Sequence, residues 1–120
     1  MPIGFILSNL LARAESATGV TFLDTDGEAI ETVCSDLEPE AVRRAGVLAQ
    51  IYFRRLTRAV PNGDEQTDLL HIEGEQCHIH ALGLKDGFLL VVVQRAPSLA
   101  SQTRLALRSA GSQLEREILS

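Results

Sequence analysis

Tryptophan is absent from this 120-residue chain, lysine occurs once, as Lys85, and cysteine twice, as Cys34 and Cys77. Two cysteines without Cys-x-x-Cys spacing give no disulfide framework and point to a reducing compartment, so a cytoplasmic protein is expected. Aromatic residues make up 4% of the sequence, leaving little material for base-stacking platforms. With a formal net charge of -5 the chain is also a poor nucleic-acid binder. The apolar runs fall far short of the ~20 residues a membrane span needs. Residues 1–7 carry no positive n-region or cleavage site and read as the start of a helix, not as a signal peptide. The phosphate-loop GK[ST] signature, HExxH and GxSxG are all missing, so neither enzymatic activity nor a cofactor is expected.

What is present is ordinary for a soluble globular protein: 45% hydrophobic and 22% charged residues, in a length suited to one domain over residues 1–120. The chain is organised around the stretch from Asp86 to Arg95. An Asp-Gly turn opens it, and six apolar residues, Phe88 to Val93, follow without polar alternation. A run that short and that rich in valine predicts a strand covered on both faces.

The remaining elements follow in order. Ile3, Ile6, Leu7, Leu10, Ala14 and Ala17 recur at helical spacing and predict a helix over residues 2–17, ended by Thr18-Gly19 with Gly19 as a left-handed cap. Residues 20–23 and 28–33 read as strands around the Asp24-Thr25-Asp26-Gly27 turn. A second helix is predicted over residues 36–60, with Asp36 as N-cap, Pro39 in the first turn and Pro61-Asn62-Gly63-Asp64 as the stop. Strands follow at residues 69–72 and 76–82. Ser98 is placed as the cap of a last helix reaching Leu119, where Gly111 either weakens the middle by up to ~1 kcal/mol relative to Ala or allows a close approach to the sheet or to the first helix. The order is α-β-β-α-β-β-β-α, an α+β fold with helices covering an antiparallel sheet.

The second helix is apolar on two sides. Val42, Ala45, Gly46, Ala49, Phe53, Leu56 and Val60 form one face at about 100° per residue. Leu48 and Tyr52 widen it on one flank. Val47 and Ile51 lie opposite, among Arg43, Arg44, Arg54 and Arg58. One sheet face needs only the first stripe, so the second implies a partner.

Other constellations offer less. Cys34 and Cys77 read as packed thiols, since His78 beside Cys77 points to the opposite face of a strand. Asp24-x-Asp26-Gly27 lacks the third acid and closing Glu of a calcium loop and reads as a turn. His71, His78 and His80 can converge on one sheet face, but no fourth ligand of known spacing joins them; a polar strip is the expectation, and no metal.

The element order, the Asp-x-Asp-Gly hairpin after a first helix, and the strand Asp86-Gly87-Phe88-Leu89-Leu90-Val91-Val92-Val93 before a Ser-Leu-started helix together resemble the roadblock/dynein light chain family. The resemblance covers about residues 5–119. It implies a five-stranded antiparallel sheet with the middle helix on one face and the two terminal helices on the other. It also implies a homodimer through the middle helix and the strand after it, which would explain the doubly apolar helix. The interface residues it implies are Arg43, Val47, Leu48, Ile51, Tyr52, Arg54, Arg55, Arg58, Leu69 and His71. Small stand-alone members, similar to a bacterial gliding-motility regulator, bind a small Ras-like GTPase and promote hydrolysis without supplying a catalytic residue. Others are scaffolds that bind another roadblock protein. A profilin-like or PAS-like sensor with a pocket under the histidine strip is the rival from a different class.

Overall fold

The computed structural model describes residues 2–59, 68–96 and 100–119. Helix α1 spans Pro2–Arg13, strands β1 and β2 span Ala17–Leu23 and Ala29–Cys34, and helix α2 spans Pro39–Ala59. Strands β3, β4 and β5 span Leu69–Glu73, Cys77–Gly83 and Leu89–Arg95, and helix α3 spans Ala100–Glu117. The sheet order is β2-β1-β5-β4-β3, and every neighbouring pair is antiparallel. The apolar run therefore occupies the middle of the sheet, and Leu89 through Gln94 are all buried.

Two cores lie on the two sheet faces. Ile6, Leu7 and Leu10 of α1 and Ala106, Leu107, Ala110 and Leu114 of α3 pack with Val20, Phe22, Leu82, Leu90 and Val92. On the other face α2 contributes Ala49 to a smaller cluster with Leu23, Ile79, Ala81, Leu89 and Val91. The alternation along each strand divides the sheet residues between the two layers. The fold class and the placement of the three helices thus match the sequence expectation.

Several details differ from it. Helix α1 ends at Arg13, not near Ala17, and the left-handed residue after it is Ser16 (φ 60°). Gly19 is not a cap: it lies inside β1, where a Cβ would collide with the Val42 side chain. Its missing side chain lets α2 sit down on the sheet. Gly46 does the same from the helix side, facing Thr21 and Leu23. Asp36 does not cap α2, which starts at Pro39; its carboxylate instead accepts from Arg95 Nη2 at 2.6 Å. Leu56, expected on the sheet-facing stripe, is exposed. Gly111 is a point of close approach, since a Cβ there would press on the ends of the Leu82 and Leu84 side chains. Val60, the 61–64 stop, Ser98 and Leu99 lie outside the described residues.

The Asp24–Gly27 turn is built as expected. Asp24 Oδ1 accepts from the backbone N–H groups of Asp26 (2.9 Å) and Glu28 (3.0 Å), and Gly27 takes φ 87°. Gln50 of α2 donates to the carbonyls of Asp24 and Thr25, and Arg54 donates to the Thr25 carbonyl. These bonds tie the hairpin to the helix and hold the orientation of its outer face.

Candidate functional site

Helix α2 turns Val42, Gly46, Ala49 and Gln50 to the sheet and leaves the opposite side uncovered in the isolated chain. Val47, Leu48, Ile51, Tyr52 and Leu56 are each 42–44% exposed. Steps of three and four residues place Val47, Leu48, Ile51 and Tyr52 on one stripe, directly away from the core. A shallow groove along it is lined by Val47, Leu48 and Ile51, with Glu40, Arg43 and Arg44 at its rim. Arg43 pairs with Glu40 across one turn at 3.5 Å, an exposed contact that orders the rim without adding much stability. Val47, Leu48, Ile51 and Tyr52 of the expected set therefore share one exposed face, Leu56 extends the apolar strip by another turn, and Arg54 reaches back to the Thr25 carbonyl. The side chain of Arg58 lies outside the described residues, and Arg55 is exposed.

The two β3 residues in the expected interface sit differently. Leu69 packs against the α1/α3 core, and His71 is exposed on that same sheet face, away from α2. What they share with α2 is position near a boundary. Among the described residues strand β3 pairs with β4 alone and forms one edge of the sheet, and an edge of this kind can take up another strand.

The histidines converge as the strand alternation implied. His71 lies opposite His80 in the β3–β4 register, and His71 Nε2 is 3.2 Å from His78 Nδ1. The His71 and His80 rings stack at 4.3 Å. His80 is buried, with Nε2 at 2.9 Å from Gln94 Oε1. The Gln94 amide nitrogen donates to Thr103 Oγ1 at 2.6 Å and to the Glu15 carbonyl. This buried polar network, which binds β5 to α3 and to the turn after α1, was not visible in the sequence. Its only sequence trace is a glutamine at an inward position just after the valine run.

Burial pushes the His80 imidazole down to about 4, with the neighbouring His71, His78 and Arg104 acting in the same direction and the Gln94 hydrogen bond opposing. Burial also lowers His71, where Glu73 opposes the shift. An unfolded His80 takes up a proton as pH falls through its ordinary value near 6.5, whereas the folded one stays neutral until about 4. The unfolded state then binds more protons, so stability is fully present above 6.5 and declines as pH falls toward 4. Between pH 7 and 5 the His80 contribution to this loss is expected to be about 2 kcal/mol, read as a drop in the urea midpoint. A midpoint unchanged over that interval contradicts a buried neutral imidazole.

No family model matches the sequence, and no curated protein does. Solved structures do. The Roadblock/LC7 domain from Streptomyces avermitilis superposes with a TM-score of 0.84 at 16% identity, covering 97% of this chain and 97% of that one. The chain has the roadblock fold. The gliding protein MglB from Thermus thermophilus superposes at 0.79 and 16% identity, over 96% of this chain and 87% of that one. An MglB in a tetrameric arrangement superposes at 0.78 and 15% identity, over 94% and 85%. Among the described residues, the α2 stripe is an uncovered apolar surface of this fold, and β3 is one of the two sheet edges. No helix among the described residues is long and apolar enough to cross a membrane.

Proposed function

We propose that this protein is a non-enzymatic homodimeric adaptor that docks or regulates a small Ras-like GTPase or its motility complex. The observation that carries the reading is the second apolar stripe of α2, Val47-Leu48-Ile51-Tyr52-Leu56, facing away from its own core. A two-fold arrangement sets the same stripe of one copy against that of the other.

Magnitudes indicate how much of the contact this stripe can carry. Covering the exposed two-fifths of five such side chains on each of two copies yields roughly 6–13 kcal/mol, from about 1.5–3 kcal/mol per fully buried side chain. Association costs about 4–15 kcal/mol. The stripe alone therefore gives anything from no dimer to a moderately tight one. A second contribution from edge strand β3, joining the two sheets through Leu69–Glu73, moves the balance toward association. Arg43, Arg54 and Arg55 then flank the contact, where planar guanidinium groups pack and form paired hydrogen bonds.

The roadblock fold and the likeness to a gliding protein support the regulator reading. The dimer would favour one nucleotide state by differential contacts with the switch surface. To test this, the Ras-like GTPases of the same organism are loaded with GDP or with a non-hydrolysable GTP analogue and passed over immobilised protein. At least one is expected to bind, with affinities differing about tenfold or more between the two states, or about 1.4 kcal/mol. Binding by none, or equally in both states, contradicts the regulator reading and leaves the scaffold that pairs with another roadblock protein.

A further inference from the structure

We propose that His71, His78 and His80 form a three-imidazole site for a zinc-class divalent metal ion. The site lies on the α1/α3 side of the sheet, opposite α2, and shares only His71 with the β3 edge that the proposed dimer would join.

Two of the imidazoles come from a His-x-His on β4, which the period of two puts on one face. The third stands across the ladder on β3, with His71 in register with His80. One ring nitrogen from each lies within 4.8 Å of the others. Zinc–imidazole bonds of about 2.0–2.1 Å at tetrahedral angles set neighbouring ligand nitrogens about 3.3 Å apart. His71 Nε2 and His78 Nδ1, at 3.2 Å, are already at that spacing.

His80 supplies the strongest argument. It is 1% exposed. Gln94 spends its amide nitrogen on the Glu15 carbonyl and Thr103 Oγ1, so the amide oxygen faces His80. That oxygen can only accept, so His80 Nε2 carries the proton. Nδ1 is left with a bare lone pair, and it is a buried side-chain nitrogen without a hydrogen-bond partner among the described residues. Buried acceptors are rarely left so. A ring nitrogen stripped of its proton while the other donates to a fixed partner is how metal-binding histidines are held.

The rest of the site has the freedom a metal needs. His71 is exposed on the edge strand and can turn out of its stack on His80, while His78 is half-buried. The open side of the cluster leaves a fourth position for water or a small anion. Glu73 lies opposite His78 in the register and adds negative charge; Arg104 on α3 opposes a cation. Three nitrogen donors select zinc, nickel or copper over magnesium and calcium, which take oxygen ligands.

The test is calorimetric titration of the chelator-treated full chain with Zn²⁺. One ion per chain and a raised thermal midpoint are expected. In a long-range ¹H–¹⁵N spectrum the His80 Nδ1 resonance should move on zinc addition while Nε2 keeps its proton. His71→Ala and His78→Ala, both at positions that are not fully buried, should fold and each lose at least ~100-fold in affinity, beyond what a supporting partner of a ligand typically carries. Absence of heat and of any thermal shift overturns the proposal. So does unchanged affinity in both variants, which would place the ion elsewhere, for instance at Cys34 or Cys77.

Discussion

Replacing Val47 and Ile51 together by Glu is expected to raise the dissociation constant of the proposed dimer at least about a thousandfold, or ~4 kcal/mol. Each substitution puts a carboxylate into the middle of the α2 stripe. A two-fold contact doubles it, so four unpaired negative charges would meet in a desolvated seam. Burying one uncompensated charge costs several kcal/mol, and the lost apolar cover adds to that. The fold of each chain should survive, because both side chains point away from the core and are 42% and 44% exposed. Substitutions at such positions usually move stability by no more than about 0.5 kcal/mol. Light scattering with a parallel thermal melt separates the two effects. A variant that stays dimeric with an unchanged melt would remove α2 from the interface.

Gln94→Leu is expected to destabilise the chain by roughly 2–5 kcal/mol, although leucine is close in size and more apolar. The glutamine side chain serves three groups at once: His80 Nε2, Thr103 Oγ1 and the Glu15 carbonyl. Leucine leaves all of them without that partner in a buried place, and desolvated groups cost more unpaired than a hydrogen bond gains paired. Val92→Leu, one strand alternation away and opposite His80 in the register, changes the packing of the same face while leaving the Gln94 side chain in place and should cost less, about 1–3 kcal/mol. Denaturant midpoints compare the two. A smaller loss for Gln94→Leu than for Val92→Leu would mean that the network holds nothing.

The central strand and the doubly apolar helix were legible in the sequence because both are local patterns. Six consecutive apolar residues can be fully buried only in the middle of a sheet, and β5 is found there with neighbours on both sides. The two α2 stripes follow from helix geometry, but Leu48 and Tyr52, expected on the flank of the sheet-facing stripe, and Leu56, expected within it, all lie on the exposed side. The histidine convergence was legible too, from alternation across one hairpin. The misreadings concern residues whose purpose is set by distant parts of the chain. Thr18-Gly19 has the composition of a helix stop, yet Gly19 serves the approach of Val42, which only the folded chain brings near. Asp36 has the composition of an N-cap and is taken by Arg95 from the end of β5 instead. Gln94 gave almost no signal, because its partner Glu15 is 79 positions away. The β3 residues show the same limit: strand periodicity gives their face, whereas only the topology reveals that β3 is an edge.

An adaptor of this kind requires first of all a second copy covering the outer face of α2. The mass of the purified chain in solution, followed by sedimentation velocity across the micromolar range, tests this most directly. A particle of twice the 13.0 kDa chain mass, falling to the single-chain mass when Val47 and Ile51 become Glu, is the expected result. A single-chain mass for the unmodified protein at every concentration contradicts it.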